Sequence, residues 1–296
     1  MLTRRTLARD AKIEGIGLHT GKMVHMHLRP APSGSGIVFV RTDLDHAEIP
    51  ATLAHVGPSF YATVIGREEV TVSTIEHLMA ALYALQIDDV RVELDGPEVP
   101  VMDGSSRPFV DALRKAGSSE HDEPRQYITI IRPVSVSHDE KRVAIYPCSE
   151  FRVTYAIDFD HPRLGYQELT AGLWGQRAFD EKLAPARTFT FERDVQALQR
   201  EGLALGGSLD NAVVIGDEGI LNQELRFPDE FVRHKMLDLT GDLSLLGHPV
   251  RGHVVAYRAG HDMHLRLAKR ILECGDCWYL APWSGAGMNH EAAAGA

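Results

Sequence analysis

Cysteine is scarce in this chain: three residues in 296, at Cys148, Cys274 and Cys277. An odd, small number does not suggest the disulfide framework with which small secreted domains compensate for a thin core. Cys274 and Cys277 do form a C-x-x-C, but the second half of a zinc knuckle is missing and nothing thioredoxin-like surrounds it. Two strand residues near a turn is the plainer reading. Long apolar runs are missing as well. No window of about 18 apolar residues exists for a membrane span, and the basic start "MLTRRTLARDAKIEG" has no apolar stretch behind it, so no secretory signal is expected and the cytoplasm is the expected location. Positive charge is in deficit: 31 Lys and Arg against 41 Asp and Glu leave −10. That argues against a surface built for nucleic acid or anionic lipid and leaves room only for a local basic pocket with a small anionic ligand.

What is present is ordinary globular material, 44% hydrophobic and 24% charged, enough for one large or two ordinary domains with a real core. Strand-like runs "KMVHMHLRP" and "SGIVFVRT" flank the turn "PAPSGSG". The helix "STIEHLMAALYAL" carries Ile75, Leu78, Met79, Leu82 and Leu85 at helical spacing, and "DDVRVELDG" alternates like a half-buried strand. "DGSSRPFVDALRKAG" supplies serine caps and a terminal Gly117. The polar "SSEHDEPR" is the best linker candidate, which places a domain boundary near Pro124. Beyond it, "QYITIIRPVSVS", "KRVAIYP" and "FRVTYAIDFD" read as strands, and "RDVQALQREG" and "DEFVRHKMLDLTGDLSLLG" as helices. Strands segregated from helices point to α+β. The small, polar "SGAGMNHEAAAGA" reads as a frayed end.

Chemistry concentrates on two of these helices. From Asp229 to Leu246, Val232, Met236, Leu239, Leu243 and Leu246 form a core stripe at spacings of 4, 3, 4 and 3, while His234, Asp238 and Asp242 fall on another. Side chains four apart on a helix are close enough for an imidazole and a carboxylate to meet on one ion, or simply to hydrogen-bond on a solvated face. In "TIEHL", Glu76 and His77 are neighbours pointing about 100° apart, so one can ligate while the other reaches a water on the same ion. That matches a hydrolytic zinc site, with three protein ligands and a carboxylate base that is not a ligand. The bland alternative is a capping box, Ser73 as N-cap and Glu76 returning to its amide.

The combination of "STIEHLMAAL", "FVRHKMLDLTGDL" and "AGHDMH", with "GIGLHTG", "PVMDGSS", "ARTF" and "GLALGGS" in the same order, shifts the balance. Over about residues 2 to 280 the chain resembles the UDP-3-O-acyl-N-acetylglucosamine deacetylases, the family that commits bacterial cells to lipid A synthesis. The resemblance implies Zn²⁺ on His77, His234 and Asp238, with Fe²⁺ able to replace it in such a donor set. It implies Glu76 as general base toward the attacking water. His261 matches a protonated residue that stabilises the oxyanion and protonates the leaving amine, Asp242 its partner carboxylate, and Thr188 a hydroxyl that helps hold the oxyanion. Lys235 and Arg258 match basic positions near the substrate's diphosphate and sugar. UDP-3-O-acyl-N-acetylglucosamine is thus the expected partner and a monomer the expected state.

The implied fold is α+β: two domains of similar β-α-α-β layering, here 1–124 and 125–296, each with a small insert and with the active site between them. The second insert, about 190–216, is expected to line an apolar tunnel for the acyl chain with Phe189, Val195, Ala204 and Ala212. Phe191, Val195 and Leu198 give it a helical apolar face, and "NAVVI" returns as a strand. At Tyr61, in "SFYATVIG", some relatives carry a cysteine able to occupy the metal, so that contact is expected to be missing. Two rivals stand beside this reading: a zinc amidase for another N-acyl compound, needing no tunnel, and a sugar-nucleotide binding module with a merely structural metal. A structural zinc is usually closed by four protein ligands, and these motifs supply three. Some relatives are fused to a dehydratase, for which 296 residues leave no room.

Overall fold

The computed structural model describes residues 1–59, 61–173, 176–222 and 224–283; the tail expected to fray lies outside the described residues. The first half opens with β1 (Thr3–Leu7), β2 (Ala11–Ile16), β3 (Met23–Pro30), β4 (Ile37–Arg41) and β5 (Ala47–Pro50). A hairpin of β6 (Ile65–Arg67) and β7 (Val70–Val72) follows, then α1 (Glu76–Ala84), β8 (Val90–Leu94) and α2 (Arg107–Ala116). One five-stranded sheet runs β2-β3-β8-β4-β5, with β4 and β8 parallel and the other pairs antiparallel. The alternation read in "VRVEL" is realised: Val90, Val92 and Leu94 are buried while Arg91 and Glu93 are less so, the signature of a sheet covered on one face. Gly117, at φ 71°, stops α2 in the left-handed region that glycine tolerates best.

The segment expected to be a linker is instead β9 (Ser118–Pro124), antiparallel to β1 with Leu7 opposite Ser118. Its side chains are almost all exposed, so backbone pairing in a two-stranded ribbon, rather than apolar alternation, makes it a strand.

The second half contains β10 (Gln126–Ile130), β11 (Val134–His138), β12 (Lys141–Tyr146), β13 (Phe151–Phe159), β14 (Gly165–Gly172), α3 (Gln176–Lys182), β15 (Phe189–Phe191), α4 (Glu192–Arg200), β16 (Val213–Gly216), β17 (Gly219–Ile220), α5 (Glu230–Ser244), β18 (Val250–Tyr257), α6 (His261–Glu273) and β19 (Trp278–Pro282). The run "QYITIIRPVSVS" is two strands, broken at Pro133, which has no N–H to donate. In the seven-stranded sheet, β18 pairs with β12, β13 and β10. The insert forms its own small sheet, β15-β16-β17. The protein is α+β, and among the described residues no helix is long and apolar enough to cross a membrane.

Helix α5 is buried along nearly its whole length, including the stripe that could have been a solvated face. It packs on α1 at very short range. A Cβ built on Gly241 would stand 2.1 Å from the Glu76 carbonyl oxygen, so a side chain there would force the helices apart. That close approach brings the start of α1 onto the polar stripe of α5.

Candidate active site

His77 from α1 and His234 and Asp238 from α5 are all buried, and their ligand atoms lie within 4.8 Å of one another. His77 Nε2 is 3.6 Å and His234 Nε2 3.3 Å from Asp238 Oδ1. The Nδ1–H of His234 is directed at the Ala186 carbonyl, 3.0 Å away, which leaves the Nε2 lone pair facing the cluster. Among the described residues Asp238 Oδ1, the oxygen that both Nε2 atoms face, makes no hydrogen bond although it is buried. Buried polar atoms are rarely left so. A divalent metal fits this donor set: two imidazoles and a carboxylate with an oxygen to spare. Iron(II) fits it too.

The electrostatics agree with a cation-binding pocket. Burial presses the His234 pKa down to about 3, so the ring is neutral and able to ligate. Burial would raise Asp238, but the Lys235 ammonium beside it and the imidazoles around it hold the ionised carboxyl well below its ordinary range. The Lys235 ammonium lies 2.8 Å from Asp238 Oδ2. Lys235, expected beside the substrate's diphosphate, is therefore at the donor set itself.

Glu76, expected as the base, is buried beside this cluster, and burial raises its pKa. The capping-box alternative fails: Ser73 bonds the Pro97 carbonyl, the N-cap of α1 is Ile75, and the Glu76 Oε2 accepts the Thr63 amide at 3.0 Å. His261, the first residue of α6, places Nε2 3.9 Å from Glu76 Oε1 and from Asp238 Oδ2. Its Nδ1 is 2.9 Å from Asp242 Oδ2. Burial lowers the His261 pKa, yet Asp242 more than compensates and carries it to about 9; Asp242 itself falls to about 2. Two helices, α6 and α1, thus bring the His261 ring and the Glu76 carboxyl into one small space.

That space is a cavity of about 210 Å³ lined by Glu76, His77, Thr188, His234, Lys235, Asp238 and His261. A second, more apolar cavity of about 430 Å³ adjoins it and includes Phe189, Val195, Leu198, Ala204, Ala212, Val214 and Leu221. Leu18, His19, Tyr61, Thr188 and Phe189 line both. Thr188 is pinned at the junction: its amide donates to the Gly104 carbonyl and its carbonyl accepts from Val213, each at 2.8 Å. All four expected tunnel residues, Phe189, Val195, Ala204 and Ala212, line this second cavity. Arg258 lines neither cavity; its guanidinium lies on the surface, 2.8 Å from Glu140. Cys274 and Cys277, read as two strand residues near a turn, form a disulfide after the end of α6.

Sequence reasoning missed Thr63, His264 and Tyr155. The Thr63 hydroxyl donates to Asp242 Oδ1 at 2.5 Å. His264 places Nδ1 2.8 Å from Asp242 Oδ2 and Nε2 2.9 Å from the Tyr155 hydroxyl. For His264 a signal existed, since it follows His261 by one helical turn; for Thr63 none did.

The fold and cavities define a class: an α+β protein with a buried donor set of two histidines and one aspartate beside an apolar cavity. The comparisons narrow it. Residues 4–273 match the model of the family described as LpxC: UDP-3-O-acyl N-acetylglycosamine deacetylase. Proteins called UDP-3-O-acyl-N-acetylglucosamine deacetylase are 50% identical in Syntrophotalea carbinolica (98% of this chain, 94% of that protein), 46% in Myxococcus xanthus (99% and 95%) and 47% in Acidithiobacillus ferrooxidans (96% and 94%). The chain belongs to the UDP-3-O-acyl-N-acetylglucosamine deacetylase family.

Proposed function

We propose that this protein is a zinc-dependent amidohydrolase that removes the N-acetyl group of UDP-3-O-acyl-N-acetylglucosamine, releasing acetate and the free amine in the committed step of lipid A biosynthesis. The observation that carries this reading is the junction of the two cavities: a hydrolytic donor set opens through Thr188 and Phe189 into an apolar space suited to an acyl chain. A general amidase would need only the first. In the same reading the chain divides into domains near Pro124, with α1 and α5 meeting across the division.

His77, His234 and Asp238 would hold the zinc, which when bound lowers the pKa of water and polarises a carbonyl. Glu76 accepts the proton of the attacking water; burial raises its affinity for that proton, which suits a base. His261, kept protonated by Asp242, offers Nε2–H to the developing oxyanion and then to the leaving amine. Thr188, at the cavity junction, adds a hydroxyl for the oxyanion. Lys235 and the surface Arg258 supply positive charge for the anionic part of the substrate.

The test combines metal analysis with acetate release from UDP-3-O-acyl-N-acetylglucosamine. One zinc per chain, with activity lost on chelation and regained with zinc, is expected. Fully metallated protein that releases no acetate would contradict the proposal.

A further inference from the structure

We propose that Thr63 is a positioning residue that fixes both proton-transfer groups, Glu76 and His261, from a single point on the loop before β6. This rests on the deacetylase reading for its kinetic readout. Thr63 is fully buried, and each of its polar groups faced toward the site is engaged there. Its amide donates to Glu76 Oε2 at 3.0 Å. Its hydroxyl oxygen is 2.5 Å from Asp242 Oδ1 and 3.2 Å from His261 Nδ1.

Counting protons assigns the directions. A hydroxyl has one proton and an ionised carboxylate can only accept, so the Thr63 proton goes to Asp242. A lone pair on the same oxygen then faces His261 Nδ1, whose nearer partner is Asp242 Oδ2 at 2.9 Å. Two acceptors flank one N–H, so Nδ1 keeps its proton in either charge state and the ring plane is held. Nε2 is thereby turned toward Glu76 and Asp238, 3.9 Å from each. On the other side, Asp242 Oδ2 is anchored by His264, itself backed by the Tyr155 hydroxyl. Asp242 is held from α6 at one oxygen and from the Thr63 loop at the other. The Ser59 hydroxyl ties together backbone on either side of it, accepting the Val64 amide and donating to the Gly57 carbonyl. Displacing catalytic groups by even about 1 Å can cost about a hundredfold in rate.

The experiment compares Thr63→Val, which keeps the shape and the amide but loses the hydroxyl, with Thr63→Ser, which restores it, in zinc-loaded full-length protein. Acetate release, zinc per chain, thermal midpoint and the His261 Nδ1–H resonance are measured. Expected for Thr63→Val are a kcat lower by about 10- to 100-fold, a KM within about twofold, unchanged zinc and midpoint, and a shifted resonance, with Thr63→Ser close to wild type. The proposal is overturned if Thr63→Val keeps kcat within about twofold, if it changes only KM, if it loses zinc, or if Thr63→Ser falls as far as Thr63→Val. A wild type without acetate release would instead count against the deacetylase reading; the resonance then decides the Thr63 proposal, an unshifted signal overturning it.

Discussion

The cavity at the donor set and the apolar cavity beside it share Leu18, His19, Tyr61, Thr188 and Phe189, yet the chain builds the rest of each from opposite materials. The first is made from helices packed in the core: α1 and α5 are buried on almost every side, and α6 starts at His261. Its titratable groups are fixed by bonds to other elements. The second is walled largely by the insert, whose helix α4 has no buried residue and meets the cavity through Glu192, Val195, Gln196 and Leu198. Chemistry needs side chains held to within fractions of an ångström, so it sits where packing is tight. Selecting an acyl chain needs only apolar area removed from water, which a thin insert can supply.

That contrast breaks most visibly at the donor set. His77→Ala and His234→Ala are expected to lose zinc and with it essentially all activity, whatever the acyl chain; full zinc occupancy in both would remove them as ligands. Glu76→Ala is expected to keep the metal and lose about 10²–10⁴ in kcat, the usual share of general acid–base catalysis, checked by metal analysis beside initial rates. Ala212→Phe should act only on the acyl side. Each methylene it excludes is worth up to about 0.8 kcal/mol, near fourfold in kcat/KM, so long-chain substrates should suffer and short ones hardly at all. Equal loss for both would place its effect on the metal side.

The smallest effect is in the pH profile. His261, carried to about 9 by Asp242 against the pull of burial, keeps its proton below that pH and loses it as pH rises, which gives the alkaline limb. Glu76, raised by burial, must be deprotonated to act as base, so activity also falls as pH drops through its pKa. Asp242→Asn removes the charge that holds the His261 proton and should move the alkaline limb to lower pH. A limb that stays in place would take His261 out of the acid role.

The parts of this site that a reader of the sequence can find are those with local periodicity. His234 and Asp238 are four apart on an evident helix, and Glu76 and His77 are adjacent; the structure brings these together. What joins the two helices, the side-chain-free surface at Gly241, has no pattern in the sequence. Thr63 meets Asp242 across 179 residues, and such a contact leaves no spacing to read. Propensity misled at Ser118–Pro124, where strand pairing with β1 overrode a polar, linker-like composition. It misled again at Ser73, whose hydroxyl prefers the Pro97 carbonyl to the helix it precedes.

The division of labour between the cavities is tested most directly by kcat/KM for acetate release from UDP-3-O-acyl-N-acetylglucosamines of decreasing acyl length. The account predicts a fall with every methylene removed, reaching orders of magnitude when several are lost, while metal content stays constant. A flat dependence on chain length would contradict it and leave only a zinc amidase.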